Sequence, residues 1–490
     1  MIEEKQGNQR LLRIVVPPYP ELSIFSRKAK RTTALGPIMV ATVANQLEEW
    51  QVQVIDGNNY NGPRDKDGLP DHRVLQEKDR ASVVAIYCGL SSTMESAWNT
   101  ASYYHQQGVF VIAGGLHAHH LPEETLNHDF DVVVHGDGEA VIQQILLAFE
   151  ERNFGNIPGI SYFEEGQFKR NGPKMNEISD LDSLPFPDFD LLKHGNKIKT
   201  YPINRTKGCE EGCEYCEVRG RVRFASPKHF YETVKHLVET KKANSFFIVD
   251  DNFDADHEGT KKFLEMISAK YKRLKFFVQV RLDVAEDIEF LKLMKKAGVK
   301  AVCIGGESCI DEELKAMEKG YDSSQMLRWM KIWRSFFWVH LMLMFGYPLK
   351  VKTTLISAKE RFILYKRFIR KTSPDSVQIV LVLPLPGTRL RKRIMGRILK
   401  EVPWKKYDGN FPCFQPENMT LEELQEMHIK LMSRFYNPWS IFRIPLKLIT
   451  FLFHYVFLGW EDWYRGWEGI ITKYVGSWTV RKWKKNNLKK

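Results

Sequence analysis

Twice along this chain, apolar runs of strand length alternate with segments of helix length. That alternation restricts the fold more than any other feature. The first series predicts strands over 11–16, 51–55, 82–87, 109–113 and 131–134. Helices are expected over 36–50, near 94–107 and through about 150, with a polar loop over 56–71. This is the pattern of an α/β, doubly wound, Rossmann-like parallel sheet. Ligands of such sheets sit beyond the carboxyl ends of the strands. Four turns fall at those ends, and their candidate binding residues are Pro18 and Tyr19, Ser91 and Ser92, Gly114 and Gly115, and Gly136, Gly138 and Glu139.

A second series predicts strands over 202–206, 245–249, 276–280, 301–304, 339–345 and 376–383. Six βα units suggest an incomplete TIM-type barrel, (β/α)6 instead of eight. The resulting organisation is a first domain over 1–150, a proline-marked connector over 151–198, a barrel over 199–400 and a helical, aromatic and basic region over 401–490. A chain of 490 residues fits such a division, and 43% hydrophobic with 27% charged residues excludes disorder, a collagen repeat and a disulfide miniprotein. Lys and Arg number 72 against 60 acids, a net charge of +12, which favours anionic partners without choosing among them.

The seven cysteines include three within eight positions, Cys209, Cys213 and Cys216, in a CxxxCxxC loop directly after the first barrel strand. Three thiolates on one loop can hold three corners of an iron–sulfur cubane and leave its fourth iron open. Zinc is the alternative. It would want a fourth ligand, and no histidine lies within ten residues of the loop.

This loop resembles that of the radical S-adenosylmethionine (SAM) superfamily. The likeness continues through Asp250-Asp251-Asn252-Phe253, Gln279-Val280-Arg281-Leu282-Asp283, Gly305-Gly306-Glu307-Ser308, the run 314–320 and Leu383–Thr388. It is similar to the branch with an N-terminal cobalamin-binding domain, over roughly residues 10–390. Lys207 stands where Arg is usual, and Gly306 where Ile is commoner. Asn58 occupies the place of the histidine that ligates cobalt in many cobalamin domains.

The resemblance implies three cofactors: a [4Fe–4S] cluster on Cys209, Cys213 and Cys216, SAM, and cobalamin without a protein histidine below the metal. It implies reductive cleavage of SAM to a 5′-deoxyadenosyl radical, hydrogen abstraction from an unactivated carbon, and methyl transfer from methylcobalamin. Arg281 and Glu307 would contact SAM, unless they form a structural ion pair. Asp250 would hold SAM or substrate, unless it belongs to a helix cap. Tyr215 would pack near the adenine. His117, His119 and His120 read most simply as loop histidines beside the corrin edge. Cys88 and Cys303 read as inert core thiols.

The expected function is a C-methyltransferase acting on a hydrophobic or natural-product-like small molecule, with flavodoxin or ferredoxin as electron donor. A tetrapyrrole-type oxidative cyclase and a non-catalytic cobalamin- or redox-responsive protein are the alternatives. Nucleic acid is not an expected partner, since no RNA-binding motif is present. The N-terminal decapeptide has no apolar core of a secretory signal, so a cytoplasmic protein is expected. The apolar run 446–460 is too short to span a bilayer. Aromatic and basic residues interleave over 436–490, which suits either a membrane surface or a helical cap with a solvated tail.

Overall fold

The computed structural model describes residues 9–20, 30–195, 198–218, 220–350, 356–437 and 460–487, with side chains in the last segment from residue 471. The first sheet has seven strands in the order β2-β1-β3-β4-β5-β6-β7. They are β1 (Arg10–Val16), β2 (Trp50–Asp56), β3 (Val83–Tyr87), β4 (Phe110–Gly114), β5 (Val132–Val134), β6 (Ile160–Glu164) and β7 (Gln167–Arg170). The first five are parallel. They read as continuous apolar runs because helices cover both faces. Polar residues interrupt these runs at Gln53 and Asp56 in β2 and at Arg13, which is fully buried inside β1. Its guanidinium donates to Gln76, Tyr104 and the carbonyls of Leu75 and Asp79, which pins the helix His72–Lys78 to the sheet.

Several expectations need correction here. The helix expected to reach residue 50 ends at Ala44, because Trp50 is taken into β2 with its ring buried. Helix His72–Lys78, capped by Asp71, was not foreseen. The connector expected over 151–198 is not only a connector: β6 and β7 form an antiparallel hairpin that extends the first sheet past residue 150. His117, His119 and His120 lie on a short helix, Leu116–His120, not in a loop.

The second sheet is all-parallel and follows chain order: β8 (Tyr201–Ile203), β11 (Ser245–Ile248), β12 (Lys275–Val280), β13 (Val299–Glu307), β14 (Trp338–Phe345) and β15 (Ser376–Leu381). Helices intervene at each crossover, among them Pro227–Lys241, His257–Lys270, Ile288–Ala297, Ser323–Phe336 and Ala358–Thr372. This is the six-unit partial barrel. Between β8 and the first of these helices, a two-stranded ribbon of β9 (Thr206–Lys207) and β10 (Arg223–Phe224) closes the cysteine loop at its base. Beyond the barrel, helix Leu421–Phe435 is capped by a Thr420–Glu423 box, and Tyr436 ties its end to β15. The apolar run 446–460 falls almost entirely outside the described residues.

Candidate active site between two sheet edges

The cysteine loop is held from below and from the side. Asp250 is wholly buried at the end of β11, and its Oδ1 accepts the amides of Arg205 (2.7 Å) and Thr206 (2.9 Å). Burial raises its carboxyl to about 7. Asp250 thus anchors the strand that launches the loop. Gly208 follows with φ +90°, and a Cβ there would meet the Arg221 carbonyl at 2.7 Å, so only glycine lets the ribbon close. On the far side, Glu214 accepts from Arg393 (2.7 and 2.9 Å) and from the Tyr347 hydroxyl (2.7 Å). Arg389 donates to the carbonyl of Gly212.

Cys209, Cys213 and Cys216 are free thiols, each half-buried. Burial pushes Cys216 up to about 11, and it raises Cys209 as well, with Asp251 adding to both. Thiols in this setting keep their protons until a metal replaces them. No trio of His, Cys, Asp or Glu among the described residues converges as a single-ion site. The triplet's assignment therefore rests on its spacing and its place in the fold.

Beside Cys209 opens a cavity of about 500 Å³, lined also by Glu211, Asn252, Arg281 and Asp283. Arg281 is already engaged there. It ion-pairs with Glu211, and Asp283 takes Nε at 3.0 Å and Nη2 at 2.6 Å. These ion pairs hold the Arg281 guanidinium at the cavity wall.

A second cluster lies next to Cys213. Glu307 ends β13 with φ +60°, a left-handed conformation that costs a non-glycine residue energy. Its carboxylate is 3.4 Å from Lys319 Nζ and adjacent to the Tyr215 hydroxyl. The same ammonium lies 5.6 Å from the Tyr215 ring and 6.0 Å from that of Tyr321. Burial alone would lower Lys319, but the facing Glu307 holds it above the ordinary lysine value. Lys319 and Tyr321 carried no role in the sequence reading. Lys319 lies twelve positions beyond Glu307 with a helix between them, so no local pattern marks the pair.

The first sheet offers the other edge. Its order reverses between β1 and β3, and the crevice there is where such sheets bind ligands. Tyr19 follows β1 and Tyr87 ends β3. Tyr19 is held by its amide donating to Asn58 Oδ1 at 2.7 Å, and burial with Tyr87 nearby pushes its phenol up to about 12. Asn58 spends its amide on Asp56 and the Pro17 carbonyl, so it serves the loop. Gly57 allows Pro18 to pack 2.8 Å from where a Cβ would stand.

Ser91, at the head of the turn Ser91–Thr93 with half-buried Ser92, bonds His117 Nδ1 at 2.8 Å. His117 is buried, its Nε2 has no protein partner, and burial pushes the imidazole down to about 3. Gly115 (φ +122°) packs on the backbone of Cys88 and Gly89, while a Cβ on Gly114 would meet open space. An unpaired buried nitrogen and an open glycine at this edge fit a ligand with polar side groups. Cys88 is wholly buried with its thiol raised by desolvation, as expected of a core cysteine.

In the turn 136–139 the acidic side chains pair with cations of the cysteine loop's ribbon. Lys207 Nζ lies 2.9 Å from Glu139 and 3.2 Å from Asp137, and Arg223 pairs with the other oxygen of Asp137. Gly136 (φ +84°) lets residue 176 approach to 2.3 Å of a would-be Cβ, and Gly138 fits against Val40. These residues dock the ribbon of the cysteine loop onto the first sheet. Asp137 and Arg223 lie 86 residues apart, so no local pattern marks their pairing. Next to Cys216, Glu217 is raised by burial to about 7; Tyr87 is raised by its own burial, with Cys88 and Glu217 adding to it. The cysteine loop and the switch-point crevice therefore face one another.

Two domains, a switch-point crevice and a three-cysteine loop facing it, define a class, and comparison with known proteins gives that class its name. Residues 203–353 match the radical SAM superfamily and residues 28–146 match the B12 binding domain. The chain therefore carries a radical SAM domain and a B12-binding domain, and its cofactors are a [4Fe–4S] cluster, SAM and cobalamin.

Among relatives, it is 25% identical over 417 residues to the uncharacterized methyltransferase PH0819 of Pyrococcus horikoshii, covering 82% of this chain and 87% of that one. It is 24% identical over 465 residues to the bacteriochlorophyllide d C-12(1)-methyltransferase of Chlorobaculum tepidum, covering 92% and 93%. It is 23% identical to an anaerobic magnesium-protoporphyrin IX monomethyl ester cyclase of Cereibacter sphaeroides, covering 69% and 56%. The solved cobalamin-dependent SAM radical enzyme OxsB, with aqua-cobalamin and SAM bound, shares the fold at TM-score 0.66 and 15% identity, covering 90% of this chain and 70% of that one.

Proposed function

We propose that this chain is a cobalamin-dependent radical SAM C-methyltransferase acting on a hydrophobic small molecule. The observation that carries the reading is the docking of Lys207 and Arg223 on Asp137 and Glu139, because it turns the cysteine loop towards the crevice of the first sheet. A substrate held between the two would meet both reactive centres. When bound, the cluster with SAM supplies a radical able to take hydrogen from carbon, and cobalamin supplies the methyl group.

The chain's own residues hold and orient. Cys209, Cys213 and Cys216 are the cluster ligands in this reading. Glu307 and Lys319 form a carboxylate–ammonium pair complementary to the zwitterionic methionyl end of SAM, with Tyr215 beside the adenine. Arg281 acts through Glu211, which it braces at the cavity wall. Tyr19, Ser91, Gly114 and His117 would line the cobalamin seat. A small flavodoxin or ferredoxin in the cytoplasm would deliver electrons.

The similarity to a cyclase supports a second reading, oxidative cyclisation without methyl transfer. One experiment separates them. Reduced, reconstituted protein is incubated anaerobically with an apolar cell extract and SAM bearing a deuterated methyl group. Methyl transfer yields S-adenosylhomocysteine and 5′-deoxyadenosine together, with the label in an apolar product. 5′-Deoxyadenosine alone, with no labelled product, would favour the cyclase.

A further inference from the structure

The helix Trp460–Asn487 has two faces that differ in chemistry. The inner face packs on the barrel side. Gly476 lies against the Tyr436 ring, where a Cβ would come within 2.2 Å, and Trp483 is buried against Phe411. The outer face carries Ile471, Tyr474 and Trp478, which are 41%, 63% and 59% exposed. Their spacing of three and four residues puts them in one stripe. One turn further on, the same stripe changes to exposed Arg481, Lys482 and Lys485. The Lys482 ammonium sits 5.6 Å from the Trp478 ring, so the two chemistries are contiguous.

We propose that this stripe is a docking face for an anionic phospholipid surface. Tryptophan and tyrosine present an apolar ring with a polar edge, which suits the headgroup boundary. The adjoining basic residues match anionic headgroups, and their long stems let the charge reach water while the aliphatic part stays buried. A second copy of the chain is the poorer occupant, because it would bring the same cationic stripe and the same net charge of +12. No helix among the described residues is long and apolar enough to cross a membrane. This inference stands apart from the reaction assigned above.

The test is co-sedimentation of the full chain with phosphatidylcholine vesicles made with and without phosphatidylglycerol. The protein should pellet with the anionic vesicles and stay in solution with the neutral ones, and added salt should weaken the binding. A basic side chain near such a surface strengthens binding about fivefold. The triple variant Arg481→Gln, Lys482→Gln, Lys485→Gln should therefore bind roughly a hundredfold more weakly, and Tyr474→Ser with Trp478→Ser should lose binding at moderate salt. All these positions face solvent, so melting curves and SAM cleavage should match the parent. Failure of the parent to pellet, or pelleting of the triple variant like the parent, would overturn the proposal. So would binding to an RNA homopolymer in place of vesicles, or a dimer that Trp478→Ser dissolves.

Discussion

Lys207, two residues ahead of the first cysteine of the triplet, reaches across to the other domain and lies 2.9 Å from Glu139. With Asp137 and Arg223 it completes a four-residue latch of two cations and two carboxylates, all largely buried. Removing one partner of such a group leaves a buried charge unpaired. We therefore expect Glu139→Ala to destabilise the protein by about 3 kcal/mol and to uncouple the two halves. 5′-Deoxyadenosine should still form while methyl transfer falls. Lys207→Arg should preserve both. Urea denaturation and product ratios measure these effects, and unchanged coupling in Glu139→Ala would remove the latch from the mechanism.

The latch should also be felt in acid. Burial alone would raise Asp137, but Lys207 and Arg223 outweigh it and hold the carboxyl below its usual value. A depressed carboxyl stabilises the fold above its unfolded value of about 4, and the contribution disappears as pH falls through the lower folded value. The urea midpoint of the parent should exceed that of Asp137→Asn at neutral pH, and the gap should close below about pH 4. A gap that persists in strong acid would contradict this.

Asp250 should show the opposite slope. Its carboxyl is raised to about 7, so the folded chain keeps a proton that the unfolded chain releases. Stability should fall as pH rises from about 4 to about 7. Asp250→Asn keeps an acceptor for the two amides and abolishes that slope, whereas Asp250→Ala loses both and should melt earlier at every pH. Parallel stability–pH curves for the parent and the Asn variant would refute the assignment.

SAM affinity should depend on Lys319 more than on Arg281. Lys319→Met should weaken SAM binding to the reconstituted protein by roughly 10- to 100-fold, the span of one charge-assisted hydrogen bond. Lys319→Arg should restore part of it. Arg281→Lys should cost less, since Arg281 already satisfies Glu211 and Asp283. Equilibrium dialysis decides the order, and a dominant Arg281 would reverse the reading.

Cys213→Ala should leave the fold intact, because the side chain is only half-buried and is in no disulfide. It should abolish the cubane absorption after reconstitution with iron and sulfide, and with it 5′-deoxyadenosine formation. Stoichiometric zinc in the parent, with no cubane signal, would dismantle the cluster assignment.

The two series of alternating elements were legible because parallel strands covered on both faces must be apolar throughout, and their turns must carry glycine. All six barrel strands overlap the runs that predicted them, although the first ends at Ile203 and Thr206 belongs to the ribbon β9. The cysteine loop was legible because three thiolates at fixed spacing serve few other ends. Helix His72–Lys78 and the hairpin of β6 and β7 were not, because half-exposed polar segments carry weak periodicity.

The chain's sequence alone determined which residues can bind iron, where the strands run and where their glycine turns lie, since those depend on local chemistry and spacing. Only the tertiary structure decided what the charged residues do. Glu139 pairs with Lys207, Arg281 with Glu211 and Asp283, and Lys319 with Glu307. A charge finds its partner through space, across loops and domains, and nothing in its immediate neighbours records which opposite charge the fold will bring within reach.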